Sequence, residues 1–165
     1  MNFKSIKDTL SSETQKGFTL IELLLVIAII SILLVVVFAA LNPATRLAES
    51  RDANRWNAVN NLLTAVHECV VDNDGSLTDC GLTNPLAISQ IGTCAAEGAT
   101  NCAGAAAACL NLDANAQMDN YIASMPIDPT SEGTAAETGY SIAVTNGIVT
   151  IDACLAEGGT VSVSR

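Results

Sequence analysis

The chain has 165 residues and a formal net charge of −10, with seven Lys and Arg against 17 Asp and Glu. Beyond Arg55 the only basic residues are His67 and Arg165, so a polyanion is repelled and this part alone is no nucleic-acid binder. One histidine, no lysine in that part, no phosphate loop and no Cys-x-x-Cys pair leave few general bases and no zinc set, which argues against an enzyme.

Residues 1–17 are polar, with Lys4, Lys7 and Lys16 against Asp8 and Glu13, and read as a cytoplasmic leader that is removed. Residues 16–41 then read KGFTLIELLLVIAIISILLVVVFAAL. From Leu23 to Leu41 no residue is charged, and about 20 apolar residues at 1.5 Å each suffice to cross a bilayer. Glu22 stands at the mouth of this run. An acid there implies a function and a partner. Thr19-x-x-Glu22 also has the form of a capping box that starts a helix. Three lysines precede the span and Arg46, Arg51 and Arg55 follow it, so charge counting gives no orientation. Val37-Phe38-Ala39 before Ala40 could pass for the cut site of an ordinary secretory signal. The apolar core of such a signal spans only about 7–15 residues, however, and has no need of Glu22.

Lys16-Gly17-Phe18-Thr19-Leu20-Ile21-Glu22 followed by this span resembles the class III signal of type IV pilins and type II secretion pseudopilins. The resemblance covers about 25 contiguous residues and is specific, because it joins a Gly-Phe junction, an acid at a fixed place and a membrane-length helix. It implies that a prepilin peptidase cuts between Gly17 and Phe18 and that the new amine of Phe18 is methylated. It implies that Glu22 registers subunits by pairing with the amine of a neighbour. It also implies a homopolymer in a helical filament, an assembly platform with its ATPase, and a subunit held in membrane lipid before assembly. The subunit would cross the cytoplasmic membrane once, with its C-terminal head outside, before joining a surface pilus.

Asn42-Pro43 predicts a kink or break, because proline removes a backbone bond and crowds the preceding turn. Residues 44–71 resume helical spacing. Trp56, Val59, Leu62, Leu63, Val66, Cys69 and Val70 form a buried stripe, with Arg51, Arg55, Asn57, Asn61 and Glu68 mostly on other faces. His67 reads as a helix-surface residue without chemistry. A straight spine from Phe18 to Val71 would span about 80 Å. Gly75 is the expected cap, in a stretch (Asp72, Asp74, Asp79) that only partly resembles a calcium loop.

Residues 76–125 read as irregular, with short helices expected around 103–112 and 114–124. Pro126 and Pro129 stop any helix. Tyr140, Ile142 and Val144 alternate, Asn146-Gly147 is a hairpin turn, Ile148, Val149 and Ile151 answer, and 160–164 adds a third short strand. The loop at 128–140 resembles the one that can hold calcium in major pseudopilins, which makes Asp128, Glu132 and Glu137 weak calcium candidates; a solvated acidic loop is the reading preferred here.

Cys69, Cys80, Cys94, Cys102, Cys109 and Cys154 all lie beyond the span. An even count in a small exported domain reads as a disulfide framework, whose connectivity a sequence cannot choose. Cys69 with Cys154, across a helix–sheet interface, is the first guess.

The expected fold is α+β and pilin-like, a long N-terminal spine helix kinked near Pro43 and packed on an antiparallel sheet of about three strands. Its parts are a leader at 1–17, a transmembrane and polymerisation helix at 18–42, an amphipathic half-spine at 43–71, a variable Cys-rich loop region at 72–130 and the sheet at 131–165. The expected function is a structural subunit of a type IV pilus or pilus-like filament, with no cofactor. The alternatives are a major pseudopilin and an anchored extracellular binding module.

Overall fold

The computed structural model describes residues 17–95 and 100–165. Apart from Gly17, the expected leader lies outside the described residues. The chain divides into two compact units that meet between Pro43 and Ala44.

The first unit holds one helix, α1, at Leu20–Leu41. Thr19 caps it with its side chain, and Glu22 returns the bond to the Thr19 backbone, so two orphan amides of the first turn are satisfied. None of its residues is buried, and by length and composition it can cross a membrane. Ser31, midway along, donates its hydroxyl to the Ile27 carbonyl at 2.6 Å and so leaves no bare donor on an apolar rod. Asn42 closes α1 in the left-handed region at φ 40°. Asparagine is one of the few side chains that visits this region readily.

Pro43 then opens α2, Pro43–Asp72. At a first helical position its missing amide costs nothing and its fixed φ suits the turn. The buried stripe of α2 comprises Asp52, Arg55, Val59, Leu62, Leu63, Ala65, Val66 and Cys69. Trp56 is not part of it: the side chain is 43% exposed, which corrects the sequence reading. Arg55, placed by sequence among the outward residues, is fully buried. At the C-terminal end Asp74, at φ 55°, and Gly75, at φ 86°, are both left-handed, so Gly75 shares the cap that the sequence assigned to it alone. The Gly75 amide reaches back to the Val70 carbonyl at 2.8 Å and closes the end.

The sheet has four strands where the sequence suggested about three. They are β1 Leu86–Gln90, β2 Tyr140–Thr145, β3 Ile148–Ala153 and β4 Val161–Ser164, in the order β1-β2-β3-β4 and all antiparallel. Asn146 and Gly147 turn the β2–β3 hairpin, both at positive φ, and set Thr145 opposite Ile148. Tyr140, Ile142 and Val144 of β2 and Val149, Ile151 and Ala153 of β3 face inward and join Val59, Leu62, Val66 and Cys69 of α2 in one core. β1 lies in the segment read as loop. Between β1 and β2 there is no helix at 103–112; the Leu110 amide instead donates to the Gln90 carbonyl at 2.7 Å, and Leu110 bridges Ile91 in parallel. Of the second expected helix only a 3₁₀ turn remains, at Met118–Asn120.

All six cysteines are paired: Cys69 with Cys80, Cys94 with Cys109, and Cys102 with Cys154. The guess of Cys69 with Cys154 is wrong. Cys69 sits one turn before the cap of α2, and the chain doubles back at once to bring Cys80 within 6.0 Å of its Cα. Cys154 follows the end of β3 and meets the long loop after β1 instead.

Candidate functional site

Gly17, Phe18 and Thr19 are irregular and exposed, and helix begins only at Leu20. The Phe18 side chain is 87% exposed. An extended, open backbone that ends in a small residue can enter the cleft of a protease, where a helix cannot. Glu22 lies one turn inside. Its Oε2 accepts from the Thr19 amide and from the Thr19 hydroxyl, each at 2.8 Å, while the Glu22 amide donates to Thr19 Oγ1 at 3.3 Å. One carboxylate oxygen is thus engaged within the chain, and Oε1 makes no hydrogen bond among the described residues. Phe18, Leu23, Leu25 and Val26 surround Glu22 with apolar surface. Cleavage between Gly17 and Phe18 would leave an amine at the head of this apolar rod, four residues from its sole carboxylate.

The second unit contains a buried ionic knot that the sequence reading missed. The guanidinium of Arg55 donates through Nε to Asp128 Oδ2 at 2.6 Å and through Nη2 to Asp128 Oδ1 at 3.0 Å. Its Nη1 donates to Asp52 Oδ1 at 2.6 Å. Asp52 in turn accepts from the backbone amides of Glu157, at 3.1 Å, and Gly158, at 2.6 Å. Asp128 also takes the amide and hydroxyl of Thr130. Just outside, Arg51 makes a two-pronged contact with Glu157 at 2.8 and 2.6 Å. Burial alone would raise the pKa of both Asp52 and Asp128. The bonds from backbone amides, Thr130 and Arg55 outweigh it, and both carboxyls lie below their ordinary value. The same bonds raise Arg55 above its ordinary value.

Backbone shape supports the knot. Gly139, at φ 83°, lies against the Asp128 side chain, and any Cβ there would strike it. Gly158 faces Asp52 Oδ2 in the same way, at 2.9 Å from where a Cβ would sit. The knot thus joins α2, the 128–139 loop and the β3–β4 loop. It was legible only in part: Asp52, Arg55, Val59, Leu62, Val66 and Cys69 follow three- and four-residue steps, and an arginine on such a stripe asks for buried carboxylates.

The three acids proposed for calcium are not brought together as a cation site. Asp128 is taken by Arg55 and is 3% exposed. A guanidinium in that position repels a metal ion. Glu137 accepts from the Thr100 hydroxyl at 2.9 Å, and Glu132 is anchored by its backbone carbonyl to Asn101 at 3.0 Å. Among the described residues no three His, Cys, Asp or Glu side chains form a group suited to a metal. His67 is half-buried, with Nε2 lacking a hydrogen-bond partner.

Comparison with known families matches residues 14–38 to the prokaryotic N-terminal methylation motif. No curated protein and no solved structure matches the chain. The match covers the irregular junction, Glu22 and most of α1. The chain therefore carries the class III prepilin signal of type IV pilins and pseudopilins.

Proposed function

We propose that this chain, bearing the class III prepilin signal on an α+β head, is a structural subunit of a type IV pilus or pilus-like filament. One observation carries the reading: an open Gly17–Phe18 junction leads into a 22-residue helix, α1, none of whose residues is buried. So much apolar surface must be covered by lipid or by like helices. Lipid tails and a helix bundle are about equally apolar, so transfer between them is set by packing and polar pairing.

In this reading prepilin peptidase cuts after Gly17 and the Phe18 amine is methylated. The subunit waits as a single-pass protein of the cytoplasmic membrane with its head outside. Three disulfides support that orientation, because such bonds persist in oxidising compartments. On assembly, the amine of an arriving Phe18 meets Glu22 of a neighbour. An amine and a carboxylate in apolar surroundings hold each other firmly, and either alone is costly, so register is selected. An assembly platform and its ATPase supply the work. The reading calls for no cofactor and no catalytic residue. A short secretion pseudopilus would use the same steps.

Intact-mass and N-terminal peptide analysis of the protein from membranes and from sheared surface material tests this. A chain that starts at methylated Phe18 in both fractions is the expected result. A start at Ala40 would mean ordinary secretion without α1, and an uncut chain confined to the membrane would mean a simple anchored module.

A further inference from the structure

The head guards one edge of its sheet and leaves the other open. Along β1, the outer strand on one side, the Ala106 amide donates to the Ile88 carbonyl at 2.8 Å and the Leu110 amide to the Gln90 carbonyl at 2.7 Å. β4 is the outer strand on the other side. Val149 and Arg165 exchange both of their backbone bonds, at 2.9 and 3.0 Å. Alternation along an antiparallel pair then aims the amides and carbonyls of Ser162 and Ser164 away from β3. These groups make no hydrogen bond among the described residues, and Ser164 is exposed. A row of unpaired backbone groups is a template for a further strand.

A cation and a groove stand at opposite ends of this edge. Arg165, which follows β4, is exposed and makes no ion pair among the described residues, whereas Arg46, Arg51 and Arg55 are all paired. Side chains alternate along a strand, so Arg165 shares a sheet face with Val161 and Val163, the face packed on the core with α2. At the start of β4, Gly159, Thr160 and Val161 line a groove with Glu49 and Trp56 of α2. The Trp56 ring is exposed there, and no basic side chain among the described residues lines the groove. Glu49 meets Arg46 only at the surface, where such a pair is weak. The groove therefore suits a cation, for which an indole face is the best aromatic partner.

We propose that β4 of one copy pairs antiparallel with β4 of a second copy, and that the Arg165 of each enters the Trp56 groove of the other. The outward backbone groups restrict the register. Both serines are bonded either when Ser162 faces Ser164 of the second copy, which sets Arg165 opposite Val161, or when Ser162 faces its own counterpart, which sets Arg165 opposite Gly159. Each register carries the guanidinium to the residues that line the groove, and on the face that α2 occupies. A second copy is the occupant because one strand holds both halves of the contact, the unpaired cation at its end and the groove at its start. The contact is isologous and closes as a two-fold pair. It is separate from any repeat along a fibre and does not depend on the filament reading.

The test is sedimentation velocity of the full-length chain in detergent over a range of concentrations. Wild type is expected to form a dimer whose share rises with concentration. Ser164→Pro removes an outward amide, which an edge strand tolerates, and is expected to weaken pairing about tenfold, while Ser164→Ala pairs like wild type. Arg165→Ala and Trp56→Ala are each expected to weaken it about tenfold, because two-fold symmetry counts the contact twice. The double variant should be no weaker than either single, since both remove the same contact. Near-UV circular dichroism that matches wild type shows that each variant head is folded. A wild-type chain that stays monomeric, a folded Ser164→Pro chain that pairs like wild type, or additive losses from Arg165→Ala and Trp56→Ala would overturn the pairing. Association through α1 would persist unchanged in every variant, and that result would overturn it as well.

Discussion

The two units of this chain obtain stability from opposite sources. α1 has local order only: a cap made by Thr19 and Glu22, an unbroken apolar run, and no buried residue. The unit after Pro43 depends on distant partners, with Arg55 bound to Asp128, Asp52 bound to Glu157, and Cys102 bonded to Cys154. One is a rod whose surroundings must supply its contacts. The other supplies its own. Damage to the first should therefore appear in processing and assembly, and damage to the second in folding.

The largest expected effect breaks the rod side alone. Gly17→Arg should leave the leader attached and abolish surface fibre while the thermal unfolding of the head in detergent stays unchanged, measured by intact mass and calorimetry. Glu22→Leu should be cut normally yet fail to accumulate in fibre; normal assembly would make α1 a plain anchor.

On the head side, Arg55→Met leaves Asp128 buried without its counter-charge and should cost about 3–5 kcal/mol in urea unfolding of the detergent-solubilised chain. Removing Cys102 and Cys154 together should cost about 4 kcal/mol, against just under 3 for Cys69 and Cys80, because the closed loops span 52 and 11 residues. Equal losses would show that native contacts, not loop closure, dominate these bonds.

Acid sharpens the contrast further. Asp52 and Asp128 have depressed pKa values in the fold, so their contribution is fully present above the unfolded value of about 3.9. Below that pH the unfolded chain takes up protons first, and the contribution falls until the folded carboxyls titrate as well. Head stability should drop below about pH 4, and Asp128→Asn should flatten that slope. Trp56→Ala is the smallest effect, within about 0.5 kcal/mol on head stability, since the ring is half in solvent.

The same division explains what was legible. Gly17, Phe18 and Glu22, and the whole of α1, can be read from consecutive residues, because everything that shapes them lies within one turn. The β2–β3 hairpin is equally local, with Asn146-Gly147 fixing its register. β1 escaped because Leu-Ala-Ile-Ser-Gln has weak strand character and its partner β2 lies some fifty residues on. Trp56 was misplaced by residue type, since its size suggested core, whereas Arg55 beside it turns inward to meet two carboxylates. Nothing near Asp128 announces that it serves Arg55, and its loop read as solvated and acidic, whereas Asp128 is buried. The disulfide pairing failed for the same reason, as chain reversal after α2 is set by the Asp74–Gly75 cap and not by the cysteines.

The knot at Arg55 also bears on the order in which the chain is made. Arg55 and Asp128 lie 73 residues apart in the chain, and Asp52 and Gly158 lie 106 apart. A chain that has emerged only as far as β1 holds a guanidinium facing an apolar stripe with just Asp52 to answer it. The head therefore cannot close on α2 until nearly its last segment has arrived. A chain cut short before Asp128 leaves the buried Arg55 guanidinium with Asp52 as its one carboxylate partner.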